Sequence, residues 1–288
     1  MLADRKHEYH VLNLGAGVQS TTLYLMFMRG LLVPQIDAAI FADTQDEPQA
    51  VYRHLEWLES LGGPRIIRAT RGKLSTALLR GEHSAGQRWI SIPAFTPGVS
   101  PSTREGRLRR QCSRDYKIDV IRQAIRRVLL GLPIGKQVPR AVVVHQYLGI
   151  SLDEAGRAKR IERSKRPNYL RMHFPLLANS MTRAACEQLL KLWVPHRTPR
   201  SACVYCPLHD DAEWTQIKNV PEDWALAKSV DDALRSPSVL GDQRRANTMP
   251  MFLHRSLQPL VQIDFENRSA TRRSWVGFSV ECNGVCGN

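Results

Sequence analysis

The ten residues from Val11 to Ser20, VLNLGAGVQS, constrain this chain more than any other segment. HEYHVLNL reads as a strand that stops at Gly15, and STTLYLMFMRG reads as a helix with apolar spacing. Between them the glycines let the main chain turn sharply and bring its N–H groups up to an anion. The start of the helix adds partial positive charge, and Ser20 and Thr21 add hydroxyls to its first turn. Gly15, Ala16, Gly17, Val18, Gln19, Ser20 and Thr21 are therefore candidates for a phosphate cradle. The segment is not a Walker loop, because the GK[ST] ending is absent. It is not a dinucleotide G-x-G-x-x-G either, because Ser20 replaces the third glycine.

The flanking sequence continues the alternation. DAAIFAD at 37–43 is a short strand of the buried type, 48–61 an amphipathic helix with Val51, Leu55, Leu58 and Leu61 on one stripe, and RIIRAT at 65–70 a third strand. Strand, helix, strand, helix, strand implies right-handed crossovers and an α/β fold with a parallel twisted sheet flanked by helices. The Gly-, Ser- and Pro-bearing stretch 81–110 reads as a long loop. Residues 113–130 read as a helix, RAVVVHQYLGI as a buried strand, and 182–194 as a helix capped by Thr182. Helical segments at 210–218 and 221–235 follow, and the last fifty residues lack clean periodicity. A boundary near 195–200 divides a nucleotide-binding α/β domain, 1–198, from a helical, cysteine-bearing part, 199–288, packed against it. No internal repeat or low-complexity tract is present.

The 288 residues carry a net charge of +14, with Arg clusters at 104–114, 122–127 and 157–166. That excess favours a polyanionic partner, nucleic acid first. An aromatic content of 7% argues against a broad base-stacking platform. No apolar run reaches the ~18 residues of a membrane span, and MLADRKHEYH has no signal-peptide core. The expectation is a cytoplasmic protein with no membrane partner; oligomeric state is not readable. In that compartment Cys112, Cys186, Cys203, Cys206, Cys282 and Cys286 are metal ligands or reactive thiols rather than disulfides. Cys203-x-x-Cys206-Pro207 offers two ligands to zinc or to an iron–sulfur cluster, and Cys186 reads as a core residue.

Four segments, in order, resemble the phosphoadenosine phosphosulfate (PAPS) reductase-like branch of the PP-loop adenine nucleotide α-hydrolase superfamily. LGAGVQSTTL resembles a variant of the loop S-G-G-x-D-S, with Gly15, Ala16 and Gln19 departing from it. FADTQDE at 41–47 resembles F-x-D-T-x-x-E, which implies Asp43 and Thr44 near the adenosine. LGISLDEAGR at 148–157 resembles G-I-R-x-x-E-x-x-R, through Gly149, Glu154 and Arg157. HFPLLANSMTRAACEQLL at 173–190 resembles Y-P-L-x-x-W-x-x-x-D-V. Independently of the resemblance, Asp43 ends a buried strand, where parallel sheets line their ligand crevice. Asp153, Glu154 and Arg157 follow another strand and are candidates to position Mg²⁺ and phosphates.

The resemblance extends to the cysteines. Sulfonucleotide reductases hold a [4Fe–4S] cluster on a Cys-Cys pair and a CxxC roughly ninety residues later. Cys112 lies 91 positions before Cys203, so Cys112, Cys203 and Cys206 match three of the four ligands, and Ser113 stands where the fourth is expected. Either Cys286 or Cys282 closes the cluster, or one iron stays open, as in tRNA-thiolating relatives. Glu281-Cys282 partly matches the E-C-G-x-H segment whose cysteine attacks sulfur.

Three functions fit. The favoured one is an enzyme that cleaves ATP, with Mg²⁺, to adenylate an acceptor such as tRNA or DNA and transfers sulfur with the help of the cluster and a sulfur-donor protein. The second is a reductase of adenylyl sulfate or its 3′-phosphorylated form, with Cys282 as nucleophile. The third is a nucleotide- and nucleic-acid-binding module with structural zinc.

Overall fold

The computed structural model describes residues 7–80, 92–100, 103–236 and 250–266. The strand–turn–helix start is β1 (Glu8–Leu14) and α1 (Val18–Met28). β2 (Ala38–Asp43), α2 (Gln49–Ser60) and β3 (Ile66–Thr70) follow as the alternation of apolar runs requires. β6 (Val143–Leu148) and β7 (Leu170–His173) complete a five-stranded sheet in the order β3-β2-β1-β6-β7. All four pairings are parallel. The chain moves outward from β1 on one side and returns to β6 on the other. The gap between the carboxyl ends of β1 and β6 is thus a topological switch point, the place where open α/β sheets take ligands.

The strands are apolar on consecutive residues because both faces of the sheet are covered. On one face Leu12, Leu14, Ala39 and Phe41 pack with α1, α2 and α8 (Arg183–Trp193). On the other, Val11, Ala38, Ile40 and Ile67 pack with Val120, Ile121 and Ile125. Every residue of α1 from Val18 to Phe27 is buried, so this helix has no solvated side. Thr182 caps α8 as expected, its side chain accepting from the Ala185 N–H at 3.1 Å.

Two sequence expectations are corrected, and two elements the sequence did not signal are added. Within 81–110, β4 (Phe95–Ser100) and β5 (Thr103–Arg107) pair antiparallel instead of forming a plain loop. Their register and the Phe95–Phe252 bridge supply main-chain partners that the Gly and Pro content did not suggest. The helix expected at 113–130 begins earlier, as α4 (Gln111–Ser113), and continues through a π turn (Arg114–Ile118), α5 (Asp119–Ala124) and a second π turn (Ile125–Leu129). Cys112 therefore sits on a helix, not in the loop before it. β7 was hidden by the short, mixed sequence LRMH. The helix α6 (Ala155–Arg163) after Glu154 was hidden by its many charges.

α3 (Leu74–Leu79), α7 (Pro175–Ala178), α9 (Asp211–Lys218) and α10 (Pro221–Arg235) complete the helices named here. The described residues after 199 pack into a core shared with the earlier part of the chain. Val204, Tyr205, Trp214, Val230 and Leu253 share one apolar cluster with Leu74, Leu78, Ile92 and Tyr116. This places the CxxC segment directly against the carboxyl end of β2. Among the described residues no helix is long and apolar enough to cross a membrane.

Candidate functional site

The cradle closes on itself through one hydroxyl. Ser20 Oγ accepts from the Gly15 N–H at 3.1 Å and the Gly17 N–H at 3.3 Å. Two N–H groups converging on one oxygen is the geometry of an anion nest. Ala16 makes the turn at φ 57°, a left-handed conformation that a residue with a Cβ adopts only under constraint. The first turn of α1 carries no acidic side chain, so its dipole is not offset there.

Gly149, at the carboxyl end of β6, lies against this turn. A Cβ at 149 would stand 2.8 Å from Ser20 N and 2.9 Å from the Gln19 carbonyl carbon. Close main-chain approach, not flexibility, requires glycine here.

Gln19 is fully buried and ties the cradle to the segment after β6. Its Nε2 donates to Glu154 Oε2 at 2.8 Å and to Ser151 Oγ at 3.2 Å, while its Oε1 accepts from Arg183 at 3.1 Å. Glu154 also accepts from Arg157 at 2.9 Å in a buried ion pair. An acid at 19 would face the Glu154 carboxylate at close range, and the neutral amide avoids that repulsion. Both Glu154 oxygens and the Arg157 guanidinium are engaged within the protein, so this pair holds the cradle in place. Asp153 accepts from the Arg183 N–H at 2.5 Å and from Ser151 at 3.3 Å. At the end of β2, Asp43 accepts from Tyr52 Oη at 2.9 Å and from the Gln45 N–H at 2.7 Å, and stays half-exposed.

The thiols gather on the other side of Thr44. Cys112, Cys203 and Cys206 share the wall of one small cavity with Thr44, Arg110 and Lys117. Thr44 Oγ1 lies 3.3 Å from Cys203 Sγ. The CxxC is held there by the Val204 N–H, which donates to Asp46 O at 2.8 Å, and by Tyr205 Oη, which donates to Asp46 Oδ2 at 2.7 Å. Lys117, itself buried, donates to Glu47 at 2.8 Å. Burial and the nearby Glu47 push the Cys203 thiol well above its ordinary value, against Lys117 and Thr44, which act to lower it. Three thiols with cations in the same wall are a suitable donor set for zinc or for an iron–sulfur cluster. Cys186 is a core residue of α8, fully buried, as expected. Cys282 and Cys286 lie outside the described residues.

Sequence reading did not find Ser151, Arg183, Lys117 or His54. Arg183 and Lys117 were two cations among many, and only their position reveals a role. His54 on α2 is fully buried, with Nε2 2.9 Å from Thr21 Oγ1 of the cradle helix and Nδ1 2.8 Å from His196 Nε2. Burial, and then the neighbouring His196, lower its pKa to about 3. The folded value lies below the unfolded one, so neutral His54 contributes stability that is full above about pH 6.5 and is lost as pH falls toward 3. Between those limits unfolding free energy should drop by up to ~1.4 kcal/mol per pH unit from this group alone. Urea unfolding at several pH values should give a shallower pH slope for His54→Gln than for the parent protein.

Beside Val18 a larger cavity of about 480 Å³ opens between α8 and α9, with Arg183, Lys191, His196, Arg197 and Arg200 among its lining groups. Arg200 is paired with Glu213 and Arg183 with Glu187. Among the described residues Lys191 and Arg197 have no ion pair.

Fold and site together define an α/β protein with a glycine-turn cradle at the switch point of a parallel sheet and a three-thiol cavity beside it. Searches of protein-family models, of curated proteins and of solved structures returned no match.

Proposed function

We propose that this chain is a PP-loop enzyme of the PAPS reductase-like kind that cleaves ATP between its α- and β-phosphates, adenylates an acceptor and supports sulfur transfer to it. The observation that carries this reading is the approach of Cys112 to Cys203 and Cys206 in one cavity that also contains Thr44. Thr44 follows the strand end where the resemblance puts the adenosine, so a thiol-bound centre would lie next to the nucleotide.

In this mechanism ATP binds with its phosphates at Gly15–Thr21, and Asp43 or Asp153 would hold Mg²⁺, which would supply charge neutralisation for the departing pyrophosphate. The acceptor oxygen attacks the α-phosphorus, the α–β bridge breaks and pyrophosphate leaves. Sulfide-level sulfur from a sulfur-donor protein then attacks the adenylated carbon; the C–S bond forms, the C–O bond breaks and AMP leaves, with no net change of oxidation state. Cys112, Cys203 and Cys206 would hold a [4Fe–4S] cluster, which would supply sulfur-transfer chemistry beside the nucleotide. Gln19, Glu154 and Arg157 keep the cradle in register. The net charge of +14 and the free cations Lys191 and Arg197 suit a nucleic-acid acceptor, with tRNA and DNA both open.

The test is anaerobic purification followed by iron, sulfide and zinc analysis, with pyrophosphate assayed after adding ATP and bulk tRNA or DNA. Near-stoichiometric cluster iron and sulfide that are lost in Cys203→Ser, together with acceptor-stimulated pyrophosphate, are expected. Sulfite released from a phosphosulfate, with no pyrophosphate from ATP, would identify a sulfonucleotide reductase instead. A colourless protein with stoichiometric zinc at the thiols would favour a binding module.

A further inference from the structure

At the end of the sheet away from the cradle, β1 and β6 begin side by side. His10 pairs in register with His145, and Glu8 precedes His10 by two residues, so all three project from one face. One ligand atom from each lies within 4.8 Å of the others. The two imidazoles stack with centroids 4.7 Å apart.

Each ring is held by a neighbour. His145 Nδ1 is 2.8 Å from His173 Nε2 on β7, and His10 Nδ1 is 3.0 Å from Tyr147 Oη on β6. With Nδ1 engaged, Nε2 is the atom left to His145, and it is buried with no hydrogen-bond partner. A buried ring nitrogen in that condition needs a partner of another kind.

We infer that Glu8, His10 and His145 bind a zinc ion, independently of the nucleotide and thiol sites. Two imidazoles and one carboxylate form a nitrogen-rich, borderline-soft set that suits zinc. Mg²⁺ and Ca²⁺ prefer all-oxygen shells. His173 and Tyr147 fix the ring orientations, as groups behind metal-bound histidines do. Glu8 is exposed, which gives the ion a route from solvent and leaves room for water as the fourth ligand. The ion would join β1 to β6 at the start of the sheet and take no part in chemistry at the other end.

The experiment is an anaerobic titration of the full chain with Co²⁺, then displacement by Zn²⁺, followed by absorption. The expected result is one Co²⁺ whose spectrum lacks thiolate charge-transfer bands, separating it from metal at the cysteines. Glu8→Gln should weaken that site by at least ~10-fold, and His173→Asn by ~10- to 100-fold. His145→Asn should abolish it. Because Glu8 is exposed, Glu8→Gln keeps the test decisive even if the histidine variants fail to fold. A parent protein with no thiolate-free Co²⁺ site, or with one of unchanged affinity in Glu8→Gln, would overturn the inference.

Discussion

Gly149→Ala should cost this protein ~1–3 kcal/mol of stability and at least ~10-fold in affinity for ATP. The added Cβ would meet Ser20 N at 2.8 Å and the Gln19 carbonyl carbon at 2.9 Å, both main-chain atoms of the cradle. Neither can rotate away. The cradle would shift by tenths of an ångström, enough to spoil convergent N–H groups. Gly156→Ala is the control, since its Cβ would meet nothing nearer than an Arg160 nitrogen at 3.9 Å. On a helix that change should be neutral or mildly stabilising. Urea unfolding and equilibrium dialysis of ATP read both effects.

Glu154→Ala should be more damaging to folding, at ~3–5 kcal/mol, because it removes the carboxylate that the buried Arg157 guanidinium pairs with. The side chains of Arg157 and Glu154 are 4% and 7% exposed, so water screens the pair poorly. The change also removes the acceptor for Gln19 Nε2. The double variant Glu154→Leu with Arg157→Met removes both charges and should recover most of the lost stability. It should not recover ATP affinity, since Gln19 Nε2 still lacks its Glu154 acceptor. Recovery of both would mean that the Gln19 link does not position the cradle.

The strand, turn and helix around residues 11–20 were legible because local preferences and the final fold agree there. Glycines at a strand end, apolar β2 and the Thr182 cap are short-range signals. The order β3-β2-β1-β6-β7 was not legible, since periodicity says nothing about which strands become neighbours. The role of Gln19 was hidden for the same reason. As a departure from a pattern it looked like a defect, and only its Glu154, Ser151 and Arg183 partners explain it. Glu154 and Arg157 read as groups for Mg²⁺ and phosphate from their place after a strand, but their mutual bond holds them inside the protein. The meeting of Cys112 with the CxxC was suggested by spacing within the resemblance. The Glu8–His10–His145 set had no sequence signal, because its members come together only through strand register.

In the proposed function the cradle after β1 binds an adenine nucleotide. Equilibrium dialysis of ATP with Mg²⁺, on the parent protein and on Gly149→Ala, tests it most directly. One ATP per chain is expected in the parent protein, with clearly weakened binding in Gly149→Ala. Absence of ATP binding to the parent protein, or equal affinity in the two, would contradict it.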